Sequence, residues 1–177
     1  MRADLPPRPT GEHARAPRLS AEGSCLLSDI IPSRERPRVL YEAFRAGRVS
    51  VTDLPQLIAF VWLYDDSPTS ALSEAEWLEM YNATGFFSHP GEHHRPVSPV
   101  TLYRGTSASR VHRMSWTGSR DLAAVLGRRH TRDGTPALYQ ATVAPDAILA
   151  FLCRPDEGWT VVVHPSGLAN VGLVGEI

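Results

Sequence analysis

"TLYRGTSASRVHRMSWTGSRDLA" (residues 101–123) joins two short strand patterns to the start of a helix. In the first pattern Leu102 and Arg104 alternate with Tyr103, which places Arg104 on the same face as apolar residues. An arginine on an apolar face needs a partner, and that partner is either a structural carboxylate or a bound anion. Gly105 follows directly, and its missing side chain lets a backbone or a ligand approach closely.

The second strand pattern, "MSWTGS", places Ser115 and Thr117 on one side and Trp116 on the other. Ser119 is suited to cap the helix that follows, and the start of a helix attracts anions. Taken alone, these residues fit a polar edge strand that leads into a capped helix. Together with Arg104 they also fit a site for an anionic cofactor.

Three helical patterns precede this stretch. They cover residues 33–49, 52–66 and 72–86. The last of them starts with a capping box formed by Ser73 and Glu76. After a proline-bounded loop, short β-rich runs separated by turn residues follow, and only one helix interrupts them. The order predicts an α+β fold in which N-terminal helices are followed by a mainly antiparallel sheet of five or six strands.

The chain is predicted to form one domain after a flexible tail. Residues 1–24 are rich in proline and arginine, which favours a disordered segment. A chain of 177 residues suits a single hydrophobic core. We therefore expect one domain over residues 25–177, with a helical region over 25–95 and a sheet core over 96–177.

Composition and charge exclude several classes of protein. The formal net charge is −1, so no global field points to nucleic acid or to a membrane. No run of about 18 apolar residues could span a bilayer, which predicts a soluble, cytoplasmic protein. All 18 basic residues are arginine, and seven of them lie between Arg104 and Arg132 with one acid among them. Cys25 and Cys153 lack metal-ligand spacing, so no metal site is expected.

The order of these motifs resembles the ADP-ribosyltransferase fold of the arginine–serine–glutamate type. The resemblance rests on "LYRG", "MSWTGSRDLAAVL", "ALYQATVAPDAILAFL" and "VVVHPSGL", and it covers roughly residues 96–177. It implies that NAD is the substrate and that Arg104 holds its nicotinamide-side phosphate or ribose. Ser115 would brace the nicotinamide pocket with support from Thr117. The implied cofactor-binding residues are Tyr103, Arg104, Gly105, Ser115, Trp116 and Thr117, and Tyr103 or Trp116 would stack on the nicotinamide.

The glutamate of that pattern is where this sequence departs from the family. The position next to the valines of residues 161–163 is Thr160, and Glu157 lies three residues earlier. The resemblance implies a catalytic set of Arg104, Ser115 and Glu157, in which the carboxylate stabilises the charge that develops as the nicotinamide–ribose bond breaks.

The expected function is transfer of ADP-ribose from NAD to a macromolecule, to a protein rather than to nucleic acid. One alternative is a catalytically inactive relative that keeps the fold as a binding module, which Thr160 would favour. A further alternative is a toxin that hydrolyses NAD without modifying an acceptor.

Overall fold

The computed structural model describes Ser20 and residues 31–64, 68–91, 93–131, 134–154 and 158–177. The tail predicted over residues 1–24, Ser20 apart, therefore lies outside the described residues. Glu157, the candidate catalytic carboxylate, lies outside them as well.

Helices occupy two parts of the described chain. They are α1 (Arg36–Arg45), α2 (Leu54–Tyr64), α3 (Pro68–Ala71), α4 (Glu74–Thr84) and, between two strands, α5 (Arg120–His130). The strands are β1 (Phe87–His89), β2 (Val100–Thr106), β3 (Ser115–Trp116), β4 (Ala137–Val143), β5 (Ile148–Arg154), β6 (Gly158–Val163) and β7 (Val171–Glu176). The predicted α+β class with mostly antiparallel pairing is confirmed. No helix within these ranges has the length and apolar character needed to cross a membrane.

The strands form two sheets, and the prediction of one sheet with five or six strands is wrong in this respect. One sheet has the order β1-β5-β6-β3 and the other has the order β2-β4-β7. β1 runs parallel to β5, while the other strand pairs are antiparallel. β1 lies in the region that was predicted to be helical. Its three residues form a strand because they pair with β5, far along the chain.

Two hydrophobic clusters hold these layers together. In the first, helices α1, α2 and α4 cover one face of the four-stranded sheet, and Trp77 and Leu152 are buried there. The second lies between the two sheets and includes Leu102, Trp116 and Val161. Helix α5 packs on β2. The smaller sheet is therefore covered on one face by the larger sheet and on the other by α5.

The start of α4 confirms the predicted capping box. The Ser73 hydroxyl accepts a hydrogen bond from the Glu76 backbone N–H at 3.3 Å, and the Glu76 carboxylate accepts one from the Ser73 N–H at 2.7 Å. Arg38 on α1 also donates to the Glu76 carboxylate. The hydrogen bond from the Ser73 backbone, followed by those from Arg38 and the Ser73 hydroxyl, lowers the pKa of Glu76 from 4.5 to about 2.

Glu76→Gln is expected to lower stability at neutral pH and to lose this effect in acid. A carboxylate whose folded-state pKa is lowered stabilises the fold above its unfolded-state value of 4.5, and the contribution disappears as the pH falls through about 2. Urea unfolding of both proteins between pH 7 and pH 2 measures the difference. Glu42→Gln, at an exposed position of α1, serves as the control. A difference between wild type and Glu76→Gln that stays constant down to pH 2 would contradict this assignment.

Candidate anion site at the junction of the two sheets

The two sheets are joined where β3 leaves one and contacts the other. Ser115 and Trp116 pair with β6 in the four-stranded sheet. At the next residue, Thr117, the backbone pairs instead with Tyr103 of β2, through hydrogen bonds of 2.8 and 3.0 Å. The chain thus passes from one sheet to the other within three residues. This junction brings Arg104, on β2, beside Ser115.

Arg104 points into the space between the sheets, on the same face of β2 as the buried Leu102. Its Nη1 donates a hydrogen bond to the carbonyl oxygen of Ser115. Its Nε is buried and has no hydrogen-bond partner in the described part of the chain. A buried donor without an acceptor costs about 1–3 kcal/mol, which an acceptor on a ligand would offset.

The positive charge of Arg104 is not neutralised by any carboxylate of the described residues within salt-bridge distance. Burial, together with the nearby charges of Arg113 and Arg110, lowers the pKa of Arg104 from 12.5 to about 10. The guanidinium therefore remains cationic at neutral pH. Of the two partners open from the sequence, a structural carboxylate is not supplied by the described residues.

The sequence indicated an arginine-rich segment but did not connect Arg110 and Arg113 with Arg104. Arg110 ends a short 3-10 turn after β2, and Arg113 precedes β3. The Arg113 carbonyl oxygen accepts a hydrogen bond from the Trp116 indole at 2.9 Å, which ties the backbone of this segment to β3. The segment between β2 and β3 has no helical or strand period. Only the folded structure shows that the charges of Arg110 and Arg113 act on Arg104.

Thr117 and Ser119 organise the turn that leads into α5. The Thr117 side chain is 4% exposed, and its hydroxyl accepts a hydrogen bond from the Ser119 N–H at 3.2 Å. The Ser119 hydroxyl in turn accepts from the Leu122 N–H at 3.2 Å and caps the helix. The predicted cap is confirmed. Thr117 supports the site through the turn that it stabilises.

Trp116 lies in the core between the sheets. It is 2% exposed, and its indole N–H is bonded to the Arg113 carbonyl. Its ring therefore has no exposed face on which a nicotinamide could stack, in contrast to the role implied by the resemblance. Tyr103 is half-buried on the opposite face of β2 from Arg104.

Gly105 contacts the backbone of α5. A Cβ atom at this position would collide with the Ala123 carbonyl oxygen and would lie 2.8 Å from the Gly127 Cα. The sequence predicted that a backbone or a ligand approaches closely here, and in the structure the helix backbone does so. The sequence analysis did not single out Gly127, although a glycine inside a helix is a signal of such a close contact.

β6 begins next to α5, and its Thr160 lies opposite Leu152 of β5. Val162 pairs with Ser115, and Thr160 lies two residues earlier on the same face of β6. Gly158, with φ of 83°, lies so close to α5 that a Cβ there would be 3.4 Å from the Leu122 side chain. The first described residue after Glu157 is thus placed against the first turn of α5.

Among the described residues, the histidines of the loop after α4 belong to no candidate metal-binding group. Within the described ranges, no group of three or more His, Cys, Asp or Glu residues is arranged to hold a metal ion. His89 is half-buried, and burial lowers its pKa. These findings leave the Arg104 junction as the candidate site for the predicted chemistry.

No protein-family model, curated protein or solved structure matches this chain. The resemblance to ADP-ribosyltransferases therefore rests on the sequence motifs alone. The geometry at Arg104 and Ser115 is the physical basis on which a function is proposed.

Proposed function

We propose that this protein binds NAD at the junction of the two sheets and transfers its ADP-ribose to a protein, as an α+β domain of ADP-ribosyltransferase type. The observation that supports the proposal is the guanidinium of Arg104. It is cationic, its Nε is buried without a partner among the described residues, and it contacts Ser115. A phosphate oxygen would accept from this group in a charge-assisted hydrogen bond.

Some of these residues would bind NAD, and one would stabilise the charge that develops on its ribose. Arg104 binds a phosphate of NAD, and Arg110 and Arg113 add positive charge at the same end of the site. Ser115 fixes Arg104 through its backbone carbonyl, and Gly105 and Thr117 hold the surrounding backbone. When bound, NAD supplies a glycosidic bond whose cleavage develops positive charge on the ribose. Glu157 is the carboxylate that would stabilise this charge.

A protein is the acceptor that these side chains favour over nucleic acid. Single-stranded nucleic acids bind through exposed aromatic rings as well as through basic residues. Trp116, the aromatic residue in the middle of the arginine-rich segment, is buried and offers no stacking surface. The free thiol of Cys153 is typical of a reducing compartment and supports a location in the cytoplasm.

The second candidate is a binding module that holds NAD without cleaving it. Thr160 favours this reading, because it stands next to the valines of β6 and carries no charge to stabilise the ribose. Nicotinamide release, followed by mass spectrometry, separates the two. Release that is abolished in Glu157→Gln supports an enzyme that cleaves NAD, whereas NAD binding without release supports the module.

Arg104→Ala is expected to weaken NAD binding by roughly ten- to one-hundredfold, since the loss of a charge-assisted hydrogen bond costs about 1.5–3 kcal/mol. Calorimetric titration of the wild type and the variant measures this change. Arg104→Lys keeps the charge but loses the planar fork, so its affinity should fall between the two.

Arg34→Ala is the control, since Arg34 is exposed and forms an ion pair with Glu35 at the surface. The assignment is wrong if the wild type does not bind NAD, or if Arg104→Ala binds it as tightly as the wild type does. Thermal unfolding of each variant shows whether it is folded before it is titrated.

A further inference from the structure

Tyr139 lies beside Arg104 in the three-stranded sheet. In the register of β2 and β4, these two residues are direct partners. Directly opposite residues of two antiparallel strands place their side chains on the same face, with Cβ atoms about 5 Å apart. Tyr139 packs against the cluster between the two sheets, which includes Leu102 and Ala141. Its ring is therefore on the inner face of the sheet, the face from which Arg104 points.

The inner face of β4 becomes more accessible towards Tyr139. Val143 and Ala141 are buried on this face, whereas Tyr139 is half-buried. Leu173, which pairs with Tyr139 from β7, is exposed. Arg104, Tyr139 and Leu173 thus form one row across the sheet, in which an aromatic ring separates a cation from an aliphatic side chain. A ligand whose phosphate reaches Arg104 would have the Tyr139 ring beside it.

Three aromatic residues lie near Arg104 in the chain or in the sheet, and they differ in face and in burial. Tyr103 is on the same face of β2 as Gly105, which contacts α5, so its ring is directed away from Arg104. Trp116 is buried in the cluster between the sheets. Tyr139 is the one of the three that combines the face of Arg104 with partial exposure.

We propose that Tyr139 is a binding residue of the junction site, which stacks on the nicotinamide ring while Arg104 holds the adjoining phosphate; this rests on the NAD binding proposed above. The nicotinamide ring of NAD is flat and carries a positive charge. The arginines of the site attract the phosphate but repel this ring. The negative face of a tyrosine ring attracts a flat cation, so Tyr139 supplies the contact that the arginines cannot.

Calorimetric titration of the full chain with two probes that differ in the ring tests the proposal. Nicotinamide mononucleotide carries the phosphate, the ribose and the ring, whereas ribose 5-phosphate lacks the ring. We expect the wild type to bind the mononucleotide more tightly. Tyr139→Leu keeps an apolar side chain against the core but has no ring. It should bind the mononucleotide roughly three- to tenfold more weakly than the wild type does, and ribose 5-phosphate equally well.

Two further variants and an NMR measurement separate stacking from a structural effect. Tyr139→Phe keeps the ring and should bind both probes as the wild type does. Tyr64→Leu removes an exposed tyrosine of α2 and should leave both affinities unchanged. In the wild type and in Tyr139→Phe, the ring protons of the bound nicotinamide should shift upfield, because they lie over an aromatic ring. This shift should be absent in Tyr139→Leu.

The proposal is overturned if the wild type binds both probes equally, or if Tyr139→Leu binds the mononucleotide as tightly as the wild type does. Equal losses for both probes in Tyr139→Leu would show a structural role and overturn it as well. In these cases, weaker NAD binding by Arg104→Ala would still support NAD binding at the junction. If the wild type binds neither NAD nor the mononucleotide, the proposed function fails, and the role of Tyr139 fails with it.

Discussion

Gly105→Ala is expected to lower the free energy of unfolding by about 3 kcal/mol, at the upper end of the usual cost of overpacking. The added Cβ meets backbone atoms of Ala123 and Gly127, which no side-chain rotation can move away. Strand β2 and helix α5 would have to separate, and their contact covers one face of the smaller sheet. Urea unfolding measures the loss directly, and the melting temperature should fall by about 10 °C for a domain of this size.

Gly175→Ala is the matched control, because Gly175 also lies in a strand and a Cβ there meets nothing within 4 Å. Its stability should stay within about 0.5 kcal/mol of the wild type. Gly127→Ala adds a Cβ on the helix side of the same contact, so it should also lower the free energy of unfolding. A Gly105→Ala protein as stable as Gly175→Ala would show that α5 is not packed on β2 as described.

Trp77→Ala is expected to cost about 3–5 kcal/mol, the range for deleting a large buried aromatic side chain. Trp77 is fully buried between the helices and the four-stranded sheet. Its ring meets the Trp62 ring at 4.9 Å and nearly at a right angle, and the Tyr81 ring at 6.3 Å. Removing the indole leaves a cavity that these rigid neighbours cannot fill. Denaturant unfolding at constant pH measures the loss.

Trp77→Phe keeps a ring in the same place, so it should cost less than Trp77→Ala. Val97→Ala is the surface control, because Val97 is fully exposed and its loss should change stability by no more than about 0.5 kcal/mol. A cost below about 1 kcal/mol for Trp77→Ala would contradict the assignment of this residue to the centre of the helical cluster.

Local sequence signals predicted the elements whose causes are local. The capping box of Ser73 and Glu76 and the cap at Ser119 depend on side chains within three residues of the backbone that they bind, so their spacing is visible in the sequence. The alternation that indicated the strand with Arg104 holds in β2, where Leu102 is buried and Thr101 is exposed. These features follow from the periods of helix and strand alone.

The pairing of strands that are far apart in the chain could not be predicted from the sequence. β1 is a strand because β5 lies beside it, and nothing within its three residues indicates this partner. The separation of the two sheets depends on Thr117 pairing with Tyr103 instead of continuing along β6. Either pairing would satisfy the same backbone groups, so the choice is made by the packing of both sheets.

The sequence by itself determined which chemical groups are available: an arginine on an apolar strand face, a serine on the next strand and a capped helix after it. Only the tertiary structure decided how they are used. Trp116 is buried between the sheets, and Gly105 contacts α5. The Nε of Arg104 has no partner among the described residues. The physical reason is that periodicity shows which side chains share a face, whereas burial depends on what packs against that face.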